Sequence, residues 1–288
     1  MQTTCYGQVI TGAPGCGKTT FVKGMFSFLS LMGRTPLIVN LDPANEPSEY
    51  TDCVSLPSLL SLDEAMTTTA LGPNGGMLYC LEYLESNVDW MLDKIAEKKA
   101  TYLLIDCPGQ TELFSTHEVL PRILHKMLKM KFQLTAVHLI DSVHIGDPSI
   151  YIAAMLQTLA CNMNFELPFV TFLSKADLIG NYGFKTKLDD LINGNLKDES
   201  FDLPDRLKKL SEKLAEVVDD YALIRPVPFA VEDKDDLALA VALVDKANGY
   251  TFNSNESSVL QYFQVEGGVA VDVKIDQTIE KYQALIDG

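Results

Sequence analysis

Residues 7–20 read GQVITGAPGCGKTT, an apolar run followed by a glycine-rich turn, and they match the pattern G-x-x-x-x-G-K-[ST] at every fixed position. A triphosphate needs several backbone N–H groups that point inward, and glycines let the chain wrap that tightly because they carry no Cβ. The helix that should begin near Lys18 adds positive charge at its N-terminus. The segment therefore predicts a strand, a phosphate-binding loop and a helix in an α/β fold.

Several residues of this loop have expected roles. Lys18 should reach the β- and γ-phosphates, the Thr19 hydroxyl should ligate Mg²⁺, and Thr20 can reach an α-phosphate oxygen. A plain glycine-rich turn before a helix would explain the glycines but not the Lys-Thr pair. The predicted nucleotide-binding residues of the loop are Gly12, Ala13, Pro14, Gly15, Cys16, Gly17, Lys18, Thr19 and Thr20.

The composition narrows the classes of protein that fit. With 288 residues, 47% of them hydrophobic, the chain is long enough for one large α/β domain. Because the net charge is −16 and no basic stripe exists to release counterions, direct binding of DNA or RNA is not expected. No apolar run approaches the ~20 residues that span a bilayer, and no secretory pattern opens the chain. We therefore expect a soluble, cytoplasmic protein without membrane contact.

Apolar periodicity predicts the arrangement of strands and helices. Buried parallel strands are expected at 8–11, 37–40, 102–105, 134–140, 169–173 and, more weakly, 225–229. Helical stripes lie between them, at Val88, Leu92 and Ile95, at Ile123, Met127 and Met130, and within 149–159. Alternation of this kind implies right-handed crossovers and a doubly wound, mainly parallel α/β sheet with inserted helices.

The C-terminal third departs from simple alternation. Residues 185–221 are charged and helical, which predicts an inserted helical lobe before the last strand. Its apolar stripe consists of Leu207, Leu210 and Leu214. A last core helix is predicted at 235–246, followed by Asn248 and Gly249 as a natural C-cap. The polar run beyond Tyr250 suggests a linker and a tail.

A second chemical motif, DCPGQ at residues 106–110, ends the third predicted strand. An acidic residue at the carboxyl end of a strand beside the phosphate loop is where the carboxylate that holds magnesium through water belongs, which makes Asp106 the candidate. Gly109 lets the backbone approach the γ-phosphate, and Gln110 and Glu112 could orient the attacking water. The alternative is a strand-terminating bend followed by surface residues of a helix.

Two other strand ends supply a base-recognition motif and a further carboxylate. Residues 174–177, SKAD, are close to the N-K-x-D pattern that selects guanine, with Ser174 in place of Asn. Asp177 can accept from the ring N–H and the exocyclic amine of guanine, while the Lys175 stem packs over the base; adenine lacks those donors. Asp42, after the second strand, could bind magnesium or order water, or simply begin a turn.

No second metal site is indicated. Asp141, His144 and Asp147 alternate with metal-like spacing, but they follow a strand and are interpreted as turn and cap residues. The six cysteines have no C-x-x-C spacing, which argues against a zinc site or a disulfide framework.

The glycine-rich residues 71–77, LGPNGGM, predict only a turn when taken alone. Together with the motifs above, however, they resemble the GPN-loop GTPase family, which is named for the tripeptide matched by Gly72, Pro73 and Asn74. The resemblance covers roughly residues 6–250. Within the family, details of the sequence are most similar to the second of three eukaryotic paralogues, at residues 79–85, 134–139 and 244–250.

The resemblance implies a GTPase that uses GTP, GDP and Mg²⁺. It implies a dimer, either a homodimer or a heterodimer with another GPN-loop paralogue, in which Asn74 contacts the phosphate region of the facing subunit in trans. Thr19 and, through water, Asp106 would hold the metal, and a loop near Ala230 and Val231 would contact the base. The expected catalytic residues are Asp106, Gln110, Glu112, Asp42 and, in trans, Asn74.

The family also implies a cellular role in the assembly and nuclear import of RNA polymerase II and III. Polymerase subunits or assembly factors would then be partners, and the protein would be cytoplasmic with shuttling to the nucleus. We expect a GTPase domain at 1–250, with the GPN loop at 71–77 and the insertion at 185–221, and a tail at 251–288. Two alternatives stay open: a P-loop ATPase or small-molecule kinase, and an assembly scaffold that binds nucleotide with negligible turnover.

Overall fold

One parallel sheet forms the centre of the molecule, with the strand order β3-β2-β4-β1-β5-β6-β7. The computed structural model describes residues 5–46, 49–182, 187–192, 205–220, 225–250 and 268–287. The strands are β1 (Cys5–Gly12), β2 (Pro36–Asn40), β3 (Val54–Ser55), β4 (Tyr102–Asp106), β5 (Phe132–Asp141), β6 (Phe169–Ser174) and β7 (Val227–Pro228).

Helices flank this sheet. They are α1 (Lys18–Leu31), α2 (Leu62–Thr69), α3 (Pro73–Ser86), α4 (Val88–Lys98), α5 (Thr111–Ser115), α6 (Val119–Lys129), α7 (Pro148–Phe165), α8 (Leu188–Ile192), α9 (Asp205–Asp220), α10 (Lys234–Asn248) and α11 (Gly268–Asp287). Short 3₁₀ turns occupy Leu56–Ser58, Ser142–Gly146 and Ala176–Tyr182. No helix in the described ranges is long and apolar enough to cross a bilayer.

Two hydrophobic clusters cover opposite faces of the sheet. One joins the strands to α1, α7, α10 and α11, and the other joins them to α2, α3, α4 and α6. Strand β4 is buried along its whole length, which explains why its sequence is a continuous apolar run rather than an alternating one. Helices on both faces of a parallel sheet confirm the predicted doubly wound α/β fold.

The connections place a crevice at the carboxyl ends of the central strands. From β1 the chain crosses to β2 on one side of the sheet, whereas from β5 it continues to β6 on the other side. Ligands of doubly wound sheets bind where the direction of winding changes. The loops after β1, β4 and β6, which carry the predicted motifs, therefore end at the same edge.

Local sequence signals explain several helix boundaries. Asp147 caps α7 by accepting from the backbone N–H groups of Ser149 and Ile150, as predicted for a cap residue. Asp233 caps α10 by accepting from the backbone N–H groups of Asp235 and Asp236. α10 ends at Asn248, and the C-cap residue Gly249 has a φ of 71°, in the left-handed region.

A buried ion pair ties α10 to the start of β2. The Arg34 guanidinium donates to both carboxylate oxygens of Asp245, at 3.0 and 2.6 Å. The Arg34 guanidinium also lies 4.0 Å from the centre of the Tyr250 ring. Buried charges are tolerated only when paired and hydrogen-bonded, so this bidentate arrangement is what allows Arg34 to enter the core.

The structure corrects four details of the sequence-based prediction. The two-residue strand β3 was missed because it is too short to show periodicity. Met130 is exposed because α6 ends at Lys129, one residue before it. On α9, Leu210 is exposed and Ala215 is buried, so the predicted stripe is displaced. The side chain of Leu207 lies outside the described residues.

The fourth correction concerns the end of the chain. α10 is not the last core helix, since α11 follows it and buries Val271, Ile275, Ile279 and Tyr282 in the same cluster. Residues 251–267, the first part of the predicted tail, lie outside the described residues. Parts of the predicted insertion do so as well, and α8 and α9 are its described helices.

Candidate functional site

The phosphate loop requires glycine where it leaves β1. Gly12 has a φ of 145°, and a Cβ at this position would lie 2.5 Å from the Leu139 carbonyl oxygen and 2.6 Å from the Cys16 sulfur. Gly15 and Gly17 have φ values of 80° and 91°, in the left-handed region that favours glycine. The loop therefore wraps as tightly as the pattern predicts.

The Lys18 side chain places a positive charge at this loop. The Lys18 ammonium donates to the carbonyl oxygens of Gly12 and Ala13, at 3.0 and 3.2 Å, and so lies across the loop. Helix α1 has Gly17 as its N-cap, so no side chain at the cap position hydrogen-bonds to its first turn. The N–H groups at the start of α1 and the Lys18 ammonium together form an anion-binding site.

Asp106 lies in a buried polar pocket at the end of β4, with 1% of its surface exposed. Its Oδ2 accepts from the Tyr50 hydroxyl at 2.5 Å and from the Asn45 amide at 3.4 Å. The Tyr50 hydroxyl also makes a hydrogen bond with Thr19. Burial raises the pKa of Asp106 to about 6, although the hydrogen bond from Tyr50 and the charge of Lys18 act in the opposite direction.

The oxygen atoms around Asp106 suit a small, hard cation. Among the described residues, Asp106 Oδ1 is buried and has no hydrogen-bond partner, although a buried acceptor is normally satisfied. Thr19, the predicted metal ligand, interacts with Tyr50, and Tyr50 in turn interacts with Asp106, so all three side chains are neighbours. The described part of the chain contains no cluster of three His, Cys, Asp or Glu residues that could hold a metal by itself. A Mg²⁺ ion here would need phosphate and water oxygens to complete its shell.

The segment after β4 approaches the phosphate loop. A Cβ on Gly109 would lie 3.1 Å from the Lys18 nitrogen and 3.4 Å from Pro14 Cα. The backbone N–H of Gly109 hydrogen-bonds to Asp42. Burial raises the pKa of Asp42, while its hydrogen bond with the Ala44 N–H and the charge of Lys18 lower it. The structure thus brings Asp42 and Gly109 to the loop, as predicted.

Gln110 and Glu112, the two candidates for orienting water, are placed differently. The Gln110 Oε1 atom is buried and has no hydrogen-bond partner in the described ranges. Glu112 is exposed in the first turn of α5, where Thr111 Oγ1 lies 3.5 Å from its carboxylate. The structure therefore gives Gln110 an unused acceptor and records no contact between Glu112 and the phosphate loop.

Ser174 joins the base-recognition motif to the phosphate loop. It is buried at the end of β6, and its hydroxyl lies 2.7 Å from the Cys16 carbonyl oxygen and 3.1 Å from that of Ile140. Both distances permit donation by the single hydroxyl proton. The residue that departs from the N-K-x-D pattern thus holds the loop and two strands together.

Lys175 and Asp177 follow Ser174 in the sequence and are more exposed than it is. Lys175 has a φ of 58°, which is uncommon for a residue other than glycine and marks a specialised turn. Its ammonium donates to Asp141 at 2.6 Å, and its carbonyl accepts from Ser142. Asp177 is exposed in the turn that follows. The exposed Asp177 carboxylate and the Lys175 side chain thus lie in one turn at the end of β6. The prediction that they contact guanine stays a prediction.

The predicted GPN loop is largely helix. Gly72 is the N-cap of α3, Pro73 is its first residue, and Asn74 lies in its first turn. Proline suits the first helical position because its φ is already helical and its missing N–H would be unpaired there. A Cβ on Gly76 would lie 2.9 Å from Met66 Cγ, so this glycine allows α2 and α3 to pack closely. The Asn74 side chain is exposed and has no hydrogen bond with the described residues.

Three residues of the site were not predicted from the sequence. Tyr50 and Asn45 hydrogen-bond to Asp106, and Asp141 positions Lys175. Asp141 also accepts from the Val143 N–H, so its interpretation as a turn residue was incomplete rather than wrong. Tyr50 and Asn45 lie in an irregular segment without periodicity or a motif, and no sequence signal identified them.

Comparison with protein families gives a match over most of the chain. A family model described as "Conserved hypothetical ATP binding protein" matches residues 10–250. GPN-loop GTPase 2 of Danio rerio is 42% identical over 289 residues, which cover 96% of this chain and 92% of that protein. GPN-loop GTPase QQT1 of Arabidopsis thaliana is 42% identical and the match covers 91% of each chain. These relatives confirm the predicted family and its second paralogue.

Comparison with solved structures supports the fold. The apo form of a GTPase from Pyrococcus abyssi superimposes with a TM-score of 0.68 at 21% identity, and the match covers 86% of this chain and 98% of that one. At this identity the match establishes the shared architecture and leaves the chemistry to the residues of the site.

The buried carboxylate of Asp106 predicts a specific dependence of stability on pH. Burial raises the pKa of Asp106 from 3.8 to about 6, so the folded state binds this proton more tightly than the unfolded state does. The resulting gain in folding stability is fully present below pH ~4 and is lost as the pH rises through ~6. The loss amounts to about 3 kcal/mol at 1.36 kcal/mol per pKa unit. We therefore expect Asp106→Asn to be more stable than the wild type at pH 8, with a smaller difference at pH 4, in urea titrations.

The matched variant is Tyr50→Phe, which keeps Asp106 and removes the hydrogen bond that lowers its pKa. Without this hydrogen bond the pKa of Asp106 should rise further. The variant should therefore be less stable than the wild type at pH 8, and the midpoint of its pH-dependent loss of stability should lie at a higher pH. If the stability of Asp106→Asn relative to the wild type is the same at pH 4 and pH 8, burial does not raise the pKa of Asp106.

Proposed function

The chain belongs to the GPN-loop GTPase family and is a GTP-binding GTPase, and we propose that it hydrolyses GTP as a dimer at the sheet edge described above. The observation that carries the proposal is the convergence of three groups. These are the Lys18 loop, the buried Asp106 with its unpaired oxygen, and the turn that holds Asp177. Each corresponds to one part of a magnesium nucleotide: phosphate, metal and base.

The base that the site prefers follows from the chemistry of Asp177. The matching family model is described as ATP-binding, whereas the relatives are named GTPases. A carboxylate accepts hydrogen bonds, and guanine offers two adjacent donors, the ring N–H and the exocyclic amine. Adenine presents a ring-nitrogen acceptor in the corresponding position, which a carboxylate would repel. The exposed Asp177 therefore favours guanine and argues against an ATPase or a small-molecule kinase.

The loop residues would act on the phosphates by position and charge. Lys18 and the first N–H groups of α1 bind and orient the β- and γ-phosphates. Mg²⁺, which Thr19 and, through water, Asp106 would hold, supplies further neutralisation of phosphate charge. Gln110, whose buried Oε1 is an unused acceptor, can orient the attacking water, and Asp42 can assist from beside Gly109. Glu112 would need another rotamer to take part.

A second subunit would complete this site. Asn74 projects from the first turn of α3 without a hydrogen bond to the described residues, so its amide is free to donate. Three described arginines already pair with carboxylates within the chain: Arg34 with Asp245, Arg122 with Glu85 and Arg225 with Asp276. An amide supplied in trans could stabilise the γ-phosphate electrostatically, as an arginine finger does in other nucleotide hydrolases. The partner would be a second copy or another GPN-loop paralogue.

We extend the proposal to a role in the assembly and nuclear import of RNA polymerase II and III, in the cytoplasm with shuttling to the nucleus. Family membership supports it, and the net charge of −16 suits basic surfaces of protein partners better than nucleic acid. Affinity purification from cells with GTP-locked and GDP-bound protein tests this role. Polymerase subunits should be recovered in one nucleotide state, and their absence from both would contradict it.

Asp177→Asn should change the preference for the base. Replacing one acceptor oxygen by an amide donor loses a hydrogen bond to a charged group, so GDP affinity should fall by about 30-fold. Xanthosine diphosphate, which has a carbonyl where guanine has the amine, should bind the variant better than GDP does. Calorimetric titration with both nucleotides measures this. Asp235→Asn, which removes an exposed carboxylate in the first turn of α10, is the matched control.

If the Asp177→Asn variant retains the GDP affinity of the wild type, Asp177 does not contact the base. If the wild type binds ADP more tightly than GDP, the chain is an adenine-nucleotide protein and the proposed function is wrong.

Mixing two inactive variants tests the trans role of Asn74. Asn74→Ala should lower the rate of GTP hydrolysis by about 10²-fold, the cost of losing one donor to developing charge, with GDP binding unchanged. Lys18→Ala should remove phosphate binding from its own subunit. A random mixture should regain about a quarter of the wild-type sites, because half of the dimers are mixed and each contains one intact composite site.

The control for this mixture is Glu82→Ala, an exposed substitution farther along α3, which should leave hydrolysis unchanged. A mixture that stays as inactive as its two components, while native mass spectrometry shows mixed dimers, would place Asn74 in its own subunit's site. An Asn74→Ala variant with the wild-type rate would place Asn74 outside catalysis.

A further inference from the structure

Helix α11 packs against the part of the sheet edge that carries the base-recognition turns. It contacts α10, β7 and the turn Ala176–Tyr182, which contains Asp177. The helix lies beyond the nucleotide-binding domain predicted from the sequence, and none of the nucleotide-binding motifs includes it. Its position nevertheless makes it a direct neighbour of the proposed guanine site.

A buried carboxylate links α11 to the loop after β7. Asp236, 3% exposed, accepts at Oδ2 from the Ala230 N–H at 2.9 Å and from the Tyr282 hydroxyl at 2.5 Å. The Lys281 ammonium donates to Oδ1 at 3.1 Å. Since Tyr282 and Lys281 both belong to α11, this helix supplies two of the donors that hold Asp236 against the Ala230 backbone.

The loop after β7 is joined in turn to the Asp177 turn. The Ala176 N–H donates to the Phe229 carbonyl at 3.2 Å. Ala176 directly precedes Asp177 in the sequence, and Phe229 directly precedes Ala230. A Cβ on Gly180 would lie 2.6 Å from the Leu285 carbonyl oxygen, so the backbone of α11 rests directly on this turn. α11 therefore braces both segments that flank the proposed base site.

We propose that α11 is a positioning element for guanine binding and that Tyr282, acting through Asp236, is a positioning residue. The inference rests on the proposed function, because it assigns a purpose to contacts around Asp177. Turns at a strand end adopt many conformations unless something fixes them, and fixing them before binding removes that entropic cost from the nucleotide. The phosphate loop is held separately, through Ser174.

The alternative is that α11 only covers apolar surface. In that case loss of one of its hydrogen bonds would lower stability and would weaken all ligands of the site alike. A ligand that uses the phosphate loop without a base distinguishes the two possibilities. Pyrophosphate is such a probe, since it can bind Lys18 and the α1 N-terminus but offers nothing to Asp177.

The test compares GDP with pyrophosphate on the full chain. Tyr282→Phe keeps the ring and removes the hydroxyl, so it should weaken GDP binding by up to about tenfold, which is the most that loss of one hydrogen bond to a charged group within the protein can transfer to binding. Pyrophosphate affinity should stay at the wild-type value. In steady-state hydrolysis, the KM for GTP should rise while kcat stays unchanged, because the phosphate and metal groups are intact.

Gly180→Ala is the second variant, since its Cβ would push α11 away from the turn without touching Asp236. It should show the same selective loss of GDP affinity. The matched control is Asp276→Ala, which removes the exposed ion pair between α11 and Arg225 and should leave both affinities unchanged. Equal weakening of GDP and pyrophosphate, or unchanged GDP binding in both folded variants, would overturn the inference. Tighter wild-type binding of ADP than GDP would instead overturn the proposed function.

Discussion

The hydroxyl of Ser174 holds the phosphate loop to the strand that leads to the base-recognition turn. It lies within hydrogen-bond distance of the carbonyl oxygens of Cys16 and Ile140. A loop that wraps a phosphate has few side chains of its own to fix it, so a buried contact from a neighbouring strand determines its position. The phosphate loop and the proposed base-recognition turn are thereby joined at one edge of the sheet.

The part of the site around Asp106, where we propose that Mg²⁺ binds, depends on a different balance. Burial opposes ionisation of Asp106, while the Tyr50 hydroxyl and the Lys18 charge favour it. The Asp106 Oδ1 atom is buried without a hydrogen-bond partner among the described residues, which lowers the stability of the fold. Such unpaired groups are found at functional sites, where a ligand can supply the missing contact. The base side is organised instead by paired charges, with Asp141 holding Lys175 and α11 holding Asp236. In the proposed binding mode, each end of the nucleotide would thus meet groups suited to its chemistry.

Much of this site follows from local sequence, and the rest depends on tertiary packing. The glycines at 12, 15 and 17, the acidic strand end at Asp106 and the SKAD turn have fixed spacing, so they could be identified from the sequence. Tyr50 and α11 could not, because their roles arise from contacts with residues distant in sequence. The GPN tripeptide looked like a loop, since Gly and Pro are typical of turns, but they also begin helices.

Single-turnover hydrolysis of GTP and ATP by the 288-residue chain distinguishes a GTPase from an ATPase and from a nucleotide-binding scaffold. Excess protein with Mg²⁺ is mixed with radiolabelled GTP or ATP, and release of phosphate is followed over time. We expect phosphate release from GTP, little release from ATP, and loss of both on removal of Mg²⁺ by chelation. Tight binding of GTP with no phosphate release would identify a nucleotide-stabilised scaffold, and faster release from ATP would contradict the assignment of the base site.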